Sequence, residues 1–360
     1  MRKKKIIFAM LEAGGGHKMP ALAVLESIKR LYPGKYDVQI MDFMKELGAT
    51  EVDTKLKNSW KYMLYHPVLT KGIQAAASVI INSVTRSFIH WGFRAFLLKH
   101  FYEHLLSYLQ KEKPDLIFST HYFNSFAVSH VRGKYNIDVL LINYLTEIFD
   151  LNSYWFLKDL DHYIVASEEA KEKILRMHFP EEKLKIFPYP IRKEFFVISR
   201  TTEEIASDLG IDTSKKILLI TLGGEGIGAL EKFIVALLKR DFPLNIIPLG
   251  FVDNINELIF ISDFCFIKPG PATTWEVISF KKPIVFFRSA QLSEVGNIKF
   301  VCRNNIGFSA GNQPKKFIRI LDSFLNGPAL EECRANYSKL NIENGSDAIA
   351  SFLDELLTNL

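Results

Sequence analysis

The sequence predicts an α/β protein made of two Rossmann-like halves whose parallel sheets face a cleft. Three observations lead there. Short apolar runs of strand length alternate with helical stretches along the chain, which is the signature of βαβ units and parallel sheets. Each half opens with such a run leading into a glycine-rich loop: Ala13-Gly14-Gly15-Gly16-His17 in the first and Gly223-Gly224-Glu225-Gly226-Ile227-Gly228 in the second. The length, 360 residues, suits two domains at roughly 150 residues each.

The strand-like runs, in order, are Lys5–Leu11, Tyr36–Asp42, Asp115–Thr120, Val139–Leu145 and His162–Ala166, then Lys216–Leu222, Leu244–Val252, Phe264–Lys268 and Pro283–Phe287. A boundary falls in 190–215, after the turn-rich Phe187-Pro188-Tyr189-Pro190. Thr201–Gly210 reads as a short helix capped through Thr202 before Glu204. The expected domains are 1–192 and 193–345. A final helix, 346–360, carries apolar residues Ile349, Phe352, Leu353 and Leu356 at helical spacing and packs back across both halves.

Composition narrows the function. Hydrophobic residues make up 48% and charged residues 24%, as in a folded protein with a large core. A net charge of +5 is too small to argue for nucleic acid and is compatible with an anionic membrane or substrate. Cys265, Cys302 and Cys333 form no CxxC pair, which argues against a disulfide framework or zinc site and for a reducing compartment. The basic lead-in before Ile6 precedes an apolar run too short for a signal peptide. No unbroken apolar run reaches the length of a membrane span, so membrane contact is expected to be peripheral.

The first glycine loop follows a strand and precedes a helix with apolar Leu22, Leu25, Ile28 and Leu31. Glycine lets the backbone approach a ligand, and a helix N-terminus offers amides to an anion; a plain strand-to-helix turn is the alternative. The pattern is neither GxGxxG nor a Walker sequence, so neither NAD nor ATP is favoured. His17, at the helix start, reads either as a general base with a pKa lowered by the helix dipole or as an exposed helix residue. In the second loop, Gly223, Gly224 and Gly226 suit backbone contact to a pyrophosphate. Glu225 would repel phosphate and points away or meets a hydroxyl.

Residues 250–300 are the most specific segment. They contain Gly250-Phe251-Val252-Asp253-Asn254, Ser262-Asp263, Lys268-Pro269-Gly270-Pro271-Ala272-Thr273-Thr274-Trp275-Glu276, Lys282-Pro283-Ile284 and Glu294-Val295-Gly296-Asn297. With the N-terminal GGGH, Ser119-Thr120-His121, Thr146-Glu147 before Trp155, and Pro190-Ile191-Arg192, this ordered set resembles the monogalactosyldiacylglycerol synthases and processive diacylglycerol glucosyltransferases, with MurG more distant. The resemblance implies the GT-B fold and an inverting transfer of glucose or galactose from a UDP-sugar to a diacylglycerol-type lipid, in a single displacement without a metal or cofactor. A MurG-like transferase acting on a polyprenyl-linked sugar, or a silent nucleotide-sugar or lipid binder, stands as the alternative. In this picture Glu276 accepts hydrogen bonds from the ribose hydroxyls. Gly270, Pro271, Thr273 and Thr274 hold the diphosphate at a helix N-terminus. Phe251 and Val252 frame the uracil, and Glu294 and Asn297 reach the sugar. Gly15, Gly16 and His121 line the acceptor side, and the base is His17 or Glu147, with His17 preferred.

The chain departs from the family pattern at several positions. Glu147 replaces an aspartate, Asn152 a histidine, Tyr122 a proline, Pro188-Tyr189 a glycine-containing turn and Ser293 a glutamine. Between Gly228 and Gly250 the chain lacks a βα unit of the family pattern, shortening 229–249. The aromatic and basic segment 58–109 reads in two parts. Trp91–Leu109 is apolar nearly all round and reads as core. Trp60–Ser83, with Trp60, Tyr62 and Tyr65, reads as a membrane interface and the way in for the lipid. The expected location is cytoplasmic, at the inner face of the cell membrane.

Overall fold

A computed structural model describes residues 2–12, 15–66, 68–73, 99–149, 156–222, 230–240, 242, 247–288 and 292–359. It divides into two compact units. Unit 1 comprises Met1–Arg192, Gln291–Ser293 and Asn344–Leu360; unit 2 comprises Lys193–Ala290 and Glu294–Glu343.

Unit 1 runs β1 (Lys4–Met10), α1 (Gly15–Leu31), β2 (Tyr36–Asp42), α2 (Phe43–Glu46), α3 (Thr50–Tyr65), α4 (Lys99–Glu112), β3 (Leu116–Ser119), α5 (Tyr122–Tyr135), β4 (Leu140–Tyr144), β5 (His162–Val165), α6 (Glu168–Arg176) and β6 (Leu184–Ile186). The strands form a six-stranded sheet in the order β2-β1-β3-β4-β5-β6, and every pairing is parallel. Such strands are covered on both faces, so they read as continuous apolar runs. Ile6, Ile7, Phe8 and Ala9 are all fully buried.

One face of this sheet packs Ile7, Ala9, Ile117 and Leu141 against Phe101, Leu105 and Leu109 of α4 and Ala127, Val128 and Val131 of α5. Each fully buried Leu, Ile or Phe stabilises the fold by roughly 1.5–3 kcal/mol. The described part of the segment read as core, from Lys99 to Leu109, is indeed a helix with Phe101, Leu105 and Leu109 buried.

Unit 2 runs α7 (Thr202–Asp208), β7 (Leu218–Thr221), α8 (Glu231–Leu238), α9 (Ile255–Ile261), β8 (Phe264–Ile267), α10 (Pro271–Ser279), β9 (Ile284–Phe287), α11 (Glu294–Arg303), β10 (Gly307–Gly311), α12 (Pro314–Asn326) and α13 (Ala329–Asn336). Its sheet is also parallel, in the order β10-β9-β8-β7. The core is aromatic: Phe266 stacks on Phe317 at 4.2 Å and Phe264 meets Phe324 edge-on at 4.9 Å. Among the described residues β7 pairs with β8 alone and ends the sheet.

Two expectations need correction here. Leu244–Val252 is not a strand where it is described: residues 247–252 lie outside any strand and Phe251 is 84% exposed. Pro248 explains it, since proline donates no ladder hydrogen bond. The cap of α7 is Thr201, one residue earlier than expected. Thr201 and Glu204 exchange side-chain and backbone hydrogen bonds in a capping box.

The chain then returns to unit 1 as α14 (Ser346–Thr358), which packs on α1. Ile349, Ala350, Leu353 and Leu357 are buried on one side, as are Ala21, Val24, Leu25 and Ile28 of α1. Polar contacts fix the register. Ser27 Oγ donates to Asp347 at 2.7 Å, Arg30 bonds Asp347, and Tyr36 Oη donates to Asp354 at 2.5 Å. Asn344 clasps the backbone of Ile191 in both directions, at 3.0 and 2.7 Å. Gly345 lies so close to Pro188 that an added Cβ would sit 1.8 Å from its carbonyl oxygen.

Candidate functional site

In unit 1 the strand order reverses between β1 and β3. From β1 the chain turns outward to β2; from β3 it proceeds the other way to β4. Loops leaving the carboxyl ends at such a switch point diverge, and open α/β sheets bind ligands there. Three of these loops bring polar groups together. His17 lies in the first turn of α1, after β1. Thr120 and His121 follow β3, and Thr146 follows β4. The His17 Nδ1 lies 2.8 Å from the Thr120 carbonyl and 3.3 Å from Thr146 Oγ1. The His17 and His121 rings meet edge-to-face at 4.7 Å.

Hydrogen-bond roles set the tautomers. A carbonyl only accepts, so His17 Nδ1 carries the proton and Nε2 keeps the lone pair. His121 caps α5 by accepting the Phe123 amide on its own Nδ1 at 3.3 Å, so its proton is on Nε2. Burial pushes the His17 pKa down to about 4, against the opposing pull of the Thr120 carbonyl. Burial, and then the neighbouring His17, hold His121 well below the usual range. Both rings are neutral at physiological pH, as a base awaiting a proton must be. Burial, with the Glu147 charge adding to it, raises Tyr122 to about 12, so Glu147 lies within electrostatic reach of this group and is half-buried.

Glycine at position 15 is not demanded by packing. An added Cβ would make only an ordinary contact with Met19 at 3.6 Å. That separates it from Gly345 and Gly307, where a Cβ would collide with backbone, and it fits a loop kept bare for a ligand. Gly16 lies beside it in the same turn of α1, and the proline at position 20 denies the Gly16 carbonyl its helical donor.

In unit 2 the corresponding position is the carboxyl end of β8 and β9. Gly270 is the extended cap of α10 and Pro271 its first residue, a start with preset φ and no amide to waste. The next amides, of Ala272 and Thr273, have no partner within the helix and face the positive end of its dipole. Thr273 and Glu276 share a face at i, i+3 spacing; Glu276 is 9% exposed. Thr274 turns inward and is 1% exposed, and its Oγ1 finds no hydrogen-bond partner among the described residues. Gly270, like Gly15, would tolerate a Cβ, with Lys268 nearest at 3.6 Å.

The first turn of α11 completes this half-site. Glu294 and Asn297 are both 3% exposed. Asn297 donates its amide to the Pro269 carbonyl at 2.9 Å, and Glu294 lies 3.6 Å from Lys268 Nζ. The loop 268–270 is thus tied to α11 at two points. Sequence reasoning assigned Asn297 to the sugar and missed its role as a clasp, because its partner is a backbone carbonyl. It also missed Thr120 as the partner of His17, for the same reason. Lys268 stands in the motif with no role assigned, though a lysine two residues before the helix-capping glycine was a readable signal.

Other expected residues fall elsewhere. Val252 is half-buried beside the exposed Phe251. Gly223, Gly224, Glu225 and Gly226 lie outside the described residues, as do Trp155 and the side chains of Trp60 and Tyr65. Tyr62 is 58% exposed, and Val68, Leu69 and Ile73 nearby are exposed too. Among the described residues no helix is long and apolar enough to cross a membrane.

Comparison with known proteins matches this arrangement. The family model for monogalactosyldiacylglycerol (MGDG) synthase matches residues 17–191, from the histidine at α1 to the clasped Ile191. The chain is 23% identical over 389 residues to monogalactosyldiacylglycerol synthase 2, chloroplastic, of Arabidopsis thaliana, covering 99% of this chain and 81% of that one. In three dimensions it is similar to MurG of Acinetobacter baumannii, with a TM-score of 0.56 at 12% identity over 98% of this chain and 100% of that one. It is likewise similar to HepE of Anabaena solved with UDP-glucose, with a TM-score of 0.54 at 12% identity over 99% and 100%. The fold is therefore GT-B, and the chain is similar to the monogalactosyldiacylglycerol synthases over nearly its whole length.

Proposed function

We propose that this chain is an inverting glycosyltransferase that moves a hexose, glucose or galactose, from a UDP-sugar to a diacylglycerol-type lipid. Similarity to the MGDG synthases supports a nucleotide-sugar transferase that makes glycolipid. The observation that carries the donor assignment is the first turn of α10 with buried Glu276, flanked by Glu294 and Asn297. In this reading Glu276 accepts the two ribose hydroxyls. The Ala272 and Thr273 amides, with the Thr273 hydroxyl, meet the diphosphate, while the Thr274 hydroxyl, expected to join them, is buried. The glycines at 223–226 approach it from the other loop, Phe251 and Val252 frame the base, and Glu294 and Asn297 contact the hexose.

The reaction then follows from charge. The acceptor hydroxyl gives its proton to His17 Nε2 as its oxygen attacks the anomeric carbon from the face opposite UDP. The bond from that carbon to UDP breaks, and the amino end of α10 stabilises the negative charge that develops on the leaving group. Gly15, Gly16 and His121 line the acceptor side. The exposed Tyr62, Val68, Leu69 and Ile73 support a peripheral seat on an anionic membrane. In a cell this would be the cytoplasmic face.

The test is calorimetry of UDP binding to Glu276→Ala. Two charge-assisted hydrogen bonds at roughly 1.5–3 kcal/mol each predict at least about a hundredfold loss of affinity, with vesicle binding unchanged. Undiminished affinity would remove Glu276 from the donor site. UDP release that depends on diacylglycerol supports transfer, whereas donor binding without release would mark a silent binder.

A further inference from the structure

The family motif contains Thr146 but gives it no role; the structure does. Thr146 follows β4 and is 2% exposed, and its hydroxyl lies 3.3 Å from the same His17 nitrogen that donates to the Thr120 carbonyl at 2.8 Å. Because the carbonyl already requires a proton on Nδ1, the hydroxyl oxygen receives the second branch of a shared hydrogen bond. Two oxygens on one ring nitrogen bracket the N–H and oppose rotation of the ring. One oxygen comes from the end of β3 and the other from the end of β4, strands in register as Ser119↔Asn143, so the bracket is built on the sheet itself.

We infer that Thr146 is a positioning residue: its hydroxyl, with the Thr120 carbonyl, holds the His17 ring so that Nε2 faces the acceptor hydroxyl. The inference rests on the reading of His17 as the base. The usual orienting group for such a histidine is a carboxylate. An uncharged oxygen orients the ring without adding a full negative charge beside it, so the imidazole stays neutral until the acceptor supplies the proton.

Thr146→Val keeps the shape and removes the oxygen; Thr146→Ser keeps the oxygen and removes the methyl. The full-length chain is assayed for UDP release with a UDP-sugar and diacylglycerol vesicles. One net hydrogen bond corresponds to a fall of about three- to tenfold in kcat for Thr146→Val. The KM for the UDP-sugar should stay within about twofold, and Thr146→Ser should restore most of the rate. Thr146→Ala, which adds no bulk, replaces the valine variant if that one melts early. Wild-type kcat in Thr146→Val, with His17→Ala inactive, overturns the positioning role and leaves the base reading standing. Equal losses in the valine and serine variants mark a packing role and also overturn it. A wild-type rate in His17→Ala overturns the base reading and this inference together.

Discussion

Acidification probes His17 directly, because burial lowers its pKa from 6.5 to about 4. At pH 5.5 a histidine of ordinary pKa would be about ten parts protonated to one neutral. With a pKa near 4, neutral exceeds protonated by about thirtyfold at that pH. A base is useful only when neutral, so kcat/KM at pH 5.5 should stay close to its value at pH 7.5 instead of falling about tenfold. The profile of kcat/KM reports groups on the free enzyme and is measured as initial rates of UDP release on vesicles from pH 4 to 8. The same shift has a consequence for stability. The folded state binds the proton less readily than the unfolded chain, so this contribution is intact above pH 6.5 and drains away as pH falls toward 4. It amounts to a few kcal/mol at most. His121, lowered by burial and by His17, acts in the same direction, so rates are taken before unfolding sets in. An acid limb centred near 6.5 would refute the reasoning, since the ring would then titrate as if in water.

Gly345→Ala should destabilise unit 1 by about 3 kcal/mol or more, because its Cβ would collide with the Pro188 carbonyl at 1.8 Å; a wild-type thermal melt would show that the backbone gives way. Val68→Asp with Leu69→Asp should reduce sedimentation with anionic vesicles by about tenfold or more, since both apolar side chains are exposed. Unchanged partitioning would place the membrane face elsewhere.

Much of the fold was legible, for reasons that the exceptions clarify. Parallel strands buried on both faces leave an apolar run bounded by turns, and β2 fills its predicted span from Tyr36 to Asp42. Two strands left no such trace. β6 is three residues long, and β10, Gly307-Phe308-Ser309-Ala310-Gly311, has neither an apolar run nor clean alternation. What makes β10 a strand is its neighbour: Gly307 lets the Ile284 carbonyl approach where a Cβ would lie 2.0 Å away. Local composition cannot announce a contact made across a sheet. Leu244–Val252 erred the other way, because hydrophobicity was weighted above the proline at position 248.

At the site the sequence supplied side-chain types in order but not their partners. Glu276 is legible from the loop that precedes it. The Pro269 carbonyl held by Asn297 and the Thr120 carbonyl held by His17 are backbone groups, which every residue possesses and no motif marks. The Thr146 hydroxyl is a side chain, yet its use depends on β3 and β4 lying side by side, and that only the folded sheet reveals.

The helix that seals α1 is synthesised 319 residues after the position it covers, as the Ser27–Ser346 pair records. While a ribosome is still making unit 2, the side of α1 that carries Ser27 lacks the helix that packs on it. A fragment stopping at Arg192 would contain every residue of the histidine cluster and still leave the outer side of α1 without its partner helix, so it should aggregate where the whole chain does not.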